Sequence, residues 1–294
     1  MQFDPQQLAA LAAILRLGSF EAAAGALSVT PSAVSQRIRA LEEKVGLALI
    51  QRGPPATGTA AGLRLARHAE DVGLLEAQVS RDLALDQGSG PVRVRIAVNA
   101  DSLATWFLEA MFGVKGVLFD LVIDDQDHSA EWLRRGEVSA AITAHGRPIP
   151  GCDAHPLGAL RYIATASPGF MKQWFAGGVT PEALSLAPCL TFNAKDQLQQ
   201  RWIEMQTGMQ LAPPTHFLPS SQGFVDAALA AMGWGMNPRA LVRKHIDHGD
   251  LVPLIPHRPL DVPLSWQVSR VLTPALAPLT RAVRQAASLG LIPG

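Results

Sequence analysis

The sequence contains little from which a cross-linked or metal-bound protein could be built. Its two cysteines, Cys152 and Cys189, lie far apart without CxxC spacing, which argues against a disulfide framework and against a zinc site. No apolar run of about 18 residues is free of charge, proline or glycine, so no membrane span is predicted. The N-terminus lacks a basic region before an apolar stretch, unlike a signal peptide. We therefore expect a reduced, cytoplasmic protein that needs no cofactor and no metal.

The chain also lacks an excess of charge of either sign, because its 25 acidic residues balance its 25 basic ones. Only 17% of its residues are charged. Global charge gives no support for nucleic-acid binding, so that function must rest on local features. Signatures of common enzymes, GxSxG, HExxH and GxxxxGK[ST], do not occur. His245 and His248 are three residues apart without an obvious third ligand, and we interpret them as the polar end of a helix. The 294 residues, 48% of them hydrophobic, suffice for two or three domains with sizeable cores.

The residue composition and the hydrophobic pattern of the chain change near residue 90. The first ninety residues are rich in alanine and leucine and read as helical. A Gly/Ser/Pro stretch at 88–91 then marks a domain boundary, and short apolar runs alternate with helical patterns. The predicted strands are 92–98, 119–123, 139–143, 162–166 and 189–192. This alternation predicts an α/β domain with a mainly parallel sheet.

Capping residues predict three short helices at the N-terminus. Asp4, Ser19 and Thr30 each precede a helical pattern, and Gly18 and Gly46 end the first and third. The predicted helices are 5–17, 20–27 and 31–45. A tight turn between the second and third indicates a helix-turn-helix.

The third helix has two contrasting faces. Its inner face carries Val34, Ile38, Leu41 and Val45. The opposite face carries small hydrogen-bonding side chains and cations, with no acid before Glu42: Ser32, Ser35, Gln36 and Arg39, with Arg37 on the flank. Such a face suits a DNA major groove, although an ordinary solvated helix in a small bundle is an equal alternative on pattern alone.

A longer motif favours the DNA-binding interpretation of this helix over the ordinary solvated helix. Residues 17–42 read LGSFEAAAGALSVTPSAVSQRIRALE, and residues 46–52 read GLALIQR. This stretch resembles the signature of LysR-type transcriptional regulators, GSFxxAAxxLxxTxxAVSxxIxxLE followed by GxxLFxR. The resemblance implies an all-α winged helix-turn-helix over 1–58 that binds double-stranded promoter DNA. The residues expected at the DNA are Ser19, Pro31, Ser32, Ser35, Gln36, Arg37, Arg39 and Arg52.

The wing and the linker helix follow from the same resemblance. Residues 53–58 contain no cation, so Arg52 is expected to carry most of the charge of the wing. Thr59 and Gly62 match the family's TxxG at the start of a linker helix that we expect to reach about residue 85, within a linker segment 59–88. Leu65, Val72 and Val79 recur every seven residues, with Leu75 between them. The resemblance implies dimerisation through this helix, and packing against the chain's own domains is the alternative.

The family further implies that residues 89–294 resemble a periplasmic binding protein with two α/β lobes. Lobe one is expected at 92–162 with 267–294, and lobe two at 163–266. Ligands of open α/β sheets bind at the carboxyl ends of strands. The effector-binding residues expected there are Asn99, Asp101, Ser102, Asp124, Asp125, Thr143, Phe192, Asn193, Ser221 and Asn237.

These residues suit a zwitterionic ligand. Ser102 and its backbone N–H, expected at a helix start, would bind a carboxylate. Asn99 or Asp101 would take an α-amine, and Asp124 or Asp125 a cationic side chain. For any one acid taken alone, a helix cap or a solvated loop residue is the commoner role.

Three segments indicate one branch of the LysR-type family. Residues 97–106, 133–138 and 157–162 are similar to the branch that includes ArgP and LysG, as are the paired prolines of the wing. That branch implies lysine or arginine as effector and a basic amino-acid exporter gene as target, with RNA polymerase and further copies of the chain, as a dimer or tetramer, as partners. The alternatives are a LysR-type regulator of another metabolite, an enzyme, an exported solute-binding protein and an interaction module that does not bind DNA.

Overall fold

The computed structural model describes residues 2–85, 90–123, 129–144 and 148–293. The predicted boundary at 88–91 lies partly outside the described residues, and Asp124 and Asp125 lie wholly outside them. The helices are α1 (Pro5–Leu17), α2 (Phe20–Ala26), α3 (Pro31–Val45), α4 (Ala60–Asp82), α5 (Ala100–Ser102), α6 (Leu108–Phe112), α7 (Ser129–Arg134), α8 (Pro168–Trp174), α9 (Pro181–Leu186), α10 (Leu198–Thr207), α11 (Ser221–Leu229), α12 (Arg239–His248) and α13 (Ala277–Gly290). The strands are β1 (Ile50–Gln51), β2 (Thr57–Gly58), β3 (Val92–Val98), β4 (Val117–Ile123), β5 (Ala140–Thr143), β6 (Cys152–Ala166), β7 (Cys189–Thr191), β8 (Thr215–Phe217), β9 (Gly235–Pro238), β10 (Val252–Pro253) and β11 (Leu260–Ser269). A π-helical turn, Leu103–Phe107, joins α5 to α6, and a 3₁₀ turn, Arg270–Leu272, follows β11. Within these ranges no helix is both long and apolar enough to cross a bilayer.

The N-terminal domain is a three-helix unit with a two-stranded wing. The side chains of Asp4, Ser19 and Thr30 accept hydrogen bonds from the first-turn N–H groups of α1, α2 and α3, as their sequence positions predict. The inner face of α3 is confirmed, since Val34, Ile38 and Leu41 are buried in the core shared with α1 and Val45 packs on it. β1 and β2 pair antiparallel to form the wing.

The linker helix α4 begins after its cap Thr59 and packs on the domains at both of its ends. Leu65 packs against the core of the winged domain, whereas Leu75 packs against the core of the C-terminal α/β domain, residues 90–293, which is called the sensing domain after its expected function. The predicted stripe of 65, 72 and 79 is therefore not a uniformly free surface, because the chain's own domains cover its first part. Val79 remains 54% exposed.

One seven-stranded sheet runs through the sensing domain in the order β10-β6-β11-β5-β3-β4, and β9 also pairs with β6. β3 lies parallel to β4 and to β5. All pairings of β6 and β11 are antiparallel. The prediction of a mainly parallel sheet is thus wrong for this sheet. Its two longest strands, β6 and β11, pair antiparallel with each other and with their other neighbours. β7 and β8 form a small parallel sheet of their own.

The two long strands also connect the lobes. β6 has 15 residues and pairs with β11 from Cys152 to Tyr162, and its far end pairs with β9 and β10. The lobe boundaries expected at 162 and 266 therefore fall inside continuous strands. Gly158 lies in β6 at φ +118, and a Cβ there would meet the Ile292 carbonyl oxygen at 2.4 Å. Glycine thus lets the C-terminal segment pair with β6 beside the crossover, where Ala159 and Ile292 exchange backbone hydrogen bonds.

Candidate effector cleft and DNA-binding surface

Asp101 joins the two lobes of the sensing domain. It lies in the first helical turn after β3, and its Oδ1 accepts a hydrogen bond of 2.5 Å from the hydroxyl of Ser221 at the start of α11. Its Oδ2 accepts a hydrogen bond of 2.8 Å from the phenol of Tyr162 on β6. Two residues expected in the site, Asp101 and Ser221, are therefore brought together although 120 positions separate them.

Tyr162 completes this cluster and was not among the residues expected to bind the effector. It is the only tyrosine of the chain, and it is fully buried. Buried phenols usually satisfy their O–H with a partner, so a single tyrosine at the start of an apolar run signals such a contact. The identity of that partner depends on the fold and is not visible in the sequence.

The helix that follows β3 begins earlier than expected. Asn99 is its N-cap and Ala100 its first residue, so Ser102 is the third residue and still lies in the first turn, where a ligand contact stays a prediction. The Ser102 hydroxyl is buried and has no hydrogen-bond partner within the described part of the chain. Asn99 is also buried, at 4% exposure. Both polar side chains therefore lie away from solvent, within two positions of Asp101 in the sequence.

Asn237 lies on β9, with its side chain on the face of β6 opposite to Tyr162, so its contact with an effector stays a prediction. It lies opposite Ile163 in the β6–β9 pairing, one position beyond Tyr162, and is fully buried. Its Nδ2 donates a hydrogen bond of 3.0 Å to the Thr165 hydroxyl. Its Oδ1 lacks a hydrogen-bond partner among the described residues. A buried amide oxygen of this kind is an acceptor for a ligand donor.

The other expected effector residues are engaged in local structure. The Thr143 hydroxyl accepts a hydrogen bond of 3.0 Å from Gln267, whose Oε1 accepts the backbone N–H of Ile149. The N–H of Phe192 donates to Asp196, and Asn193 Oδ1 accepts from the N–H of Lys195 at 2.8 Å. These bonds shape the ends of β5 and β7. A ligand contact by Thr143, Phe192 or Asn193 stays a prediction.

The residues expected at DNA form one surface in the winged domain. Pro31, Ser32, Ser35, Gln36 and Arg39 are all exposed on α3. A groove of about 470 Å³ separates the starts of α2 and α3 from the wing. The residues that line it are Gly18, Ser19, Phe20, Glu21, Pro31, Ser32, Ser35, Arg52, Gly53, Pro54 and Ala56. The surface therefore combines hydroxyl, amide and guanidinium groups, which are the groups that read base edges and bind phosphates.

Three of the expected DNA contacts also have partners within the domain. The Arg52 guanidinium lies 5.9 Å from the centre of the Phe20 ring, a cation–π distance that orients it at the groove. Arg37 Nη2 donates to Gln6 Oε1 at 2.7 Å, which ties α3 to α1. Ser19 accepts the N–H of Ala22 and donates to Glu21.

The wing is fixed to the linker helix by a close backbone contact. The Thr59 hydroxyl donates to the Ala48 carbonyl at 2.8 Å and accepts the N–H of Gly62 at 3.1 Å. Glu42 Oε1 accepts the N–H of Leu49 at 2.8 Å. A Cβ at Gly62 would stand 1.9 Å from the Leu49 carbonyl oxygen. The TxxG motif therefore encodes a joint that only glycine allows.

A group of partly buried charges lies between α4 and the sheet. Arg67 approaches Glu70 at 3.6 Å, and Arg95 on β3 approaches Asp120 on β4 at 3.4 Å. Burial raises the pKa of the Glu70 carboxyl and lowers the pKa of the Arg67 guanidinium. The linker helix thus meets the sensing domain through charges as well as apolar side chains.

The two cysteines are buried, and the paired histidines lie at the end of a helix. Cys152 and Cys189 are free and buried, and burial raises the pKa of both thiols. His245 and His248 lie in the last turn of α12, as interpreted from the sequence, and His248 Nδ1 lies 2.7 Å from the Lys244 carbonyl. Among the described residues no cluster of His, Cys, Asp and Glu is arranged to hold a metal.

Comparison with known proteins covers both domains. A model described as "Bacterial regulatory helix-turn-helix protein, lysR family" matches residues 5–63, and one described as "LysR substrate binding domain" matches residues 90–288. The transcriptional regulator LysG of Mycobacterium tuberculosis is 44% identical over 287 residues, which cover 98% of this chain and 94% of that protein.

Two solved structures match the whole architecture. ArgP from Mycobacterium tuberculosis is 44% identical, with a TM-score of 0.81 and coverage of 100% of both chains. Full-length LysG from Corynebacterium glutamicum with bound effector Arg is 35% identical, with a TM-score of 0.68 and coverage of 99% of this chain and 100% of that one.

Proposed function

This chain belongs to the LysR family of bacterial regulators, so it is an effector-responsive DNA-binding protein and not an enzyme, and we propose that its effector is L-arginine or L-lysine. The observation that carries the proposal is the Asp101 carboxylate held between the lobes by Tyr162 and Ser221. A carboxylate in a cleft suits the ammonium or guanidinium of a basic amino acid. The effector Arg bound to the Corynebacterium LysG supports the same ligand class.

The cluster also supports a mechanism for sensing. The hydroxyl of Ser221 is a neutral donor, whereas the α-ammonium of the effector is a charged one. Because Asp101 is a carboxylate, its bond with Ser221 already involves one charge, and an ammonium donor would add a second charge and make the contact an ion pair. An effector that takes the place of Ser221 at Asp101 would therefore alter the direct contact between the lobes.

The signal would reach DNA through the linker helix. α4 packs against the core of the winged domain and against the core of the sensing domain. A shift between the lobes would therefore change the surface of the sensing domain that α4 contacts. We propose a dimer or tetramer in the cytoplasm whose paired winged domains bind promoter DNA and act on RNA polymerase. Coupling between effector and DNA binding is typically about 1–3 kcal/mol. The proposed target, a basic amino-acid exporter gene, rests on the resemblance of residues 97–106, 133–138 and 157–162 to the ArgP and LysG branch.

Calorimetric titration tests the effector proposal. L-arginine and L-lysine should bind the purified full chain saturably, and L-leucine should not. Asp101→Asn should weaken basic amino-acid binding by about 10- to 150-fold, the equivalent of one charge-assisted bond. Asp226→Asn is the matched control, because Asp226 is exposed and lies on the same helix as Ser221. The proposal fails if Asp101→Asn stays within about threefold of wild type.

The DNA-binding surface has a separate test. Genomic fragments retained by the wild-type chain should be lost when Gln36 and Arg39 are both changed to alanine, because their exposed side chains are expected at the groove. Unchanged DNA retention by the double variant would contradict the assigned surface.

The effector titration has a second informative outcome. Saturable binding of another metabolite, with no binding of basic amino acids, would support the alternative of a LysR-type regulator with a different effector.

A further inference from the structure

A second cavity lies in lobe two, between β6, α12 and the segment after β10. Its volume is about 300 Å³. The floor is apolar and includes the partly buried side chains of Ile163, Ile246 and Ile255. Prolines 253, 256 and 259 form part of the wall, and Arg161, Arg239, Arg243 and Arg258 stand around it with His257 and Asp247. The cavity therefore combines an apolar interior with a ring of guanidinium groups.

The charges of this ring do not balance. Arg161 is held by Asp261 through two hydrogen bonds of 2.8 and 2.7 Å. Arg243 approaches Asp247 at 3.8 Å, with both side chains well exposed. Arg239 and Arg258 take part in no salt bridge within the described part of the chain. Two guanidinium groups are thus available to an anion at the cavity.

The cavity is separate from the effector cleft. Successive side chains of a strand point to opposite faces, so Arg161 and Ile163 lie on one face of β6 and Tyr162 on the other. Tyr162 reaches Asp101 in the cleft, while its two neighbours line the cavity. A cationic effector is disfavoured here by like charge. The ligand of the cavity must therefore differ in chemistry from that of the cleft.

We propose that this cavity binds a small organic anion with a carboxylate at one end and a compact apolar body. The arginines provide paired donors for a carboxylate, whose geometry matches a guanidinium. The isoleucine floor would bury the apolar part. A volume of about 300 Å³ lies at the lower limit of small-molecule pockets, which restricts the ligand to a few carbon atoms beyond its charged group. An inorganic anion would use the arginines but leave the floor unfilled.

Methyl NMR of the full chain labelled at its isoleucines tests this proposal, with hexanoate as the probe. Hexanoate should shift the signals of Ile163, Ile246 and Ile255 saturably at concentrations up to about 10 mM. Hexylamine has a similar chain but a positive charge and should not shift them. Failure of hexanoate to saturate, or equal shifts with hexylamine, would overturn the proposal. Larger shifts with inorganic phosphate than with hexanoate would also overturn it, because they would indicate a simple anion site.

Paired variants separate this cavity from other basic surfaces. The double variant Arg239→Ala and Arg258→Ala removes the two exposed side chains at the cavity that form no salt bridge with the described residues, and it should weaken hexanoate binding by about tenfold or more. Arg281→Ala, on α13, is the control and should bind hexanoate like wild type. Thermal unfolding of each variant confirms that the chain is folded. Unchanged hexanoate affinity in the double variant would refute the site, and L-arginine titration of the same samples reports on the cleft independently.

Discussion

Two glycines of the linker helix should respond in opposite ways to the same substitution. At Gly62 an alanine Cβ would stand 1.9 Å from the Leu49 carbonyl oxygen and 2.8 Å from its carbon. At Gly73, in the same helix, no heavy atom of the described residues beyond the neighbouring helix backbone lies within 4 Å of the corresponding Cβ. Because the obstacle at Gly62 is backbone, no side-chain rotation can relieve the clash.

The magnitude follows from the distance to be recovered. Real Cβ atoms stay outside 3.0 Å, so the Leu49 carbonyl or α4 must retreat by about 1.1 Å from the present 1.9 Å. That carbonyl accepts the N–H of Thr59, and the Leu49 N–H is bound by Glu42. A forced shift of packed backbone costs about 1–3 kcal/mol. Gly73→Ala should instead stabilise the helix by about 0.5–1 kcal/mol, since alanine is the better helix former.

Calorimetric unfolding of the full chain, DNA-binding anisotropy and L-arginine titration distinguish the outcomes. Gly62→Ala should lower the unfolding temperature of the winged domain and weaken DNA binding, with arginine affinity within about threefold of wild type. Gly73→Ala should unfold at or above the wild-type temperature. The reasoning is refuted if Gly62→Ala is as stable as wild type, or if Gly73→Ala is the more damaging change.

Two further predictions concern charges. Arg52→Ala should weaken binding to all DNA sequences alike and make the slope of log affinity against log salt shallower by about 0.9, because the wing residues 53–58 contain no other cation; a change in base preference instead would contradict a phosphate role. Burial raises the pKa of Glu70, so its charged form opposes folding above that raised pKa, and this cost disappears as pH falls towards the ordinary value of 4.5. Glu70→Gln should therefore unfold at or above the wild-type temperature at pH values above the raised pKa, with the difference shrinking below it, and a large loss of stability at neutral pH would show that the contact with Arg67 dominates.

The N-terminal domain could be predicted closely because its signals are local. Asp4, Ser19 and Thr30 act within three residues of the N–H groups they bind, and the apolar period of α3 needs no knowledge of its neighbours. The free stripe expected on α4 was less secure, because the residues that cover Leu65 belong to another part of the chain.

The sensing domain depended on contacts that the sequence does not display. Only 162–166 was predicted as strand, whereas β6 starts at Cys152 through a stretch that contains Pro156 and Gly158. Its pairing with β11, about a hundred residues later, makes that stretch extended. For the same reason Asp101 and Ser221 could be named as separate candidates, but their mutual hydrogen bond and the part of Tyr162 could not.

That the cleft holds the chain's only tyrosine gives the protein a natural spectroscopic reporter. Biosynthetic replacement of tyrosine by 3-fluorotyrosine would place one fluorine atom in the whole molecule, beside the carboxylate that bridges the lobes. A single ¹⁹F resonance could then follow occupancy of the cleft in the intact regulator on promoter DNA, without any other change to the sequence. Its line shape would report whether open and closed arrangements exchange before the effector arrives, which distinguishes selection of an existing conformation from a change induced by the ligand.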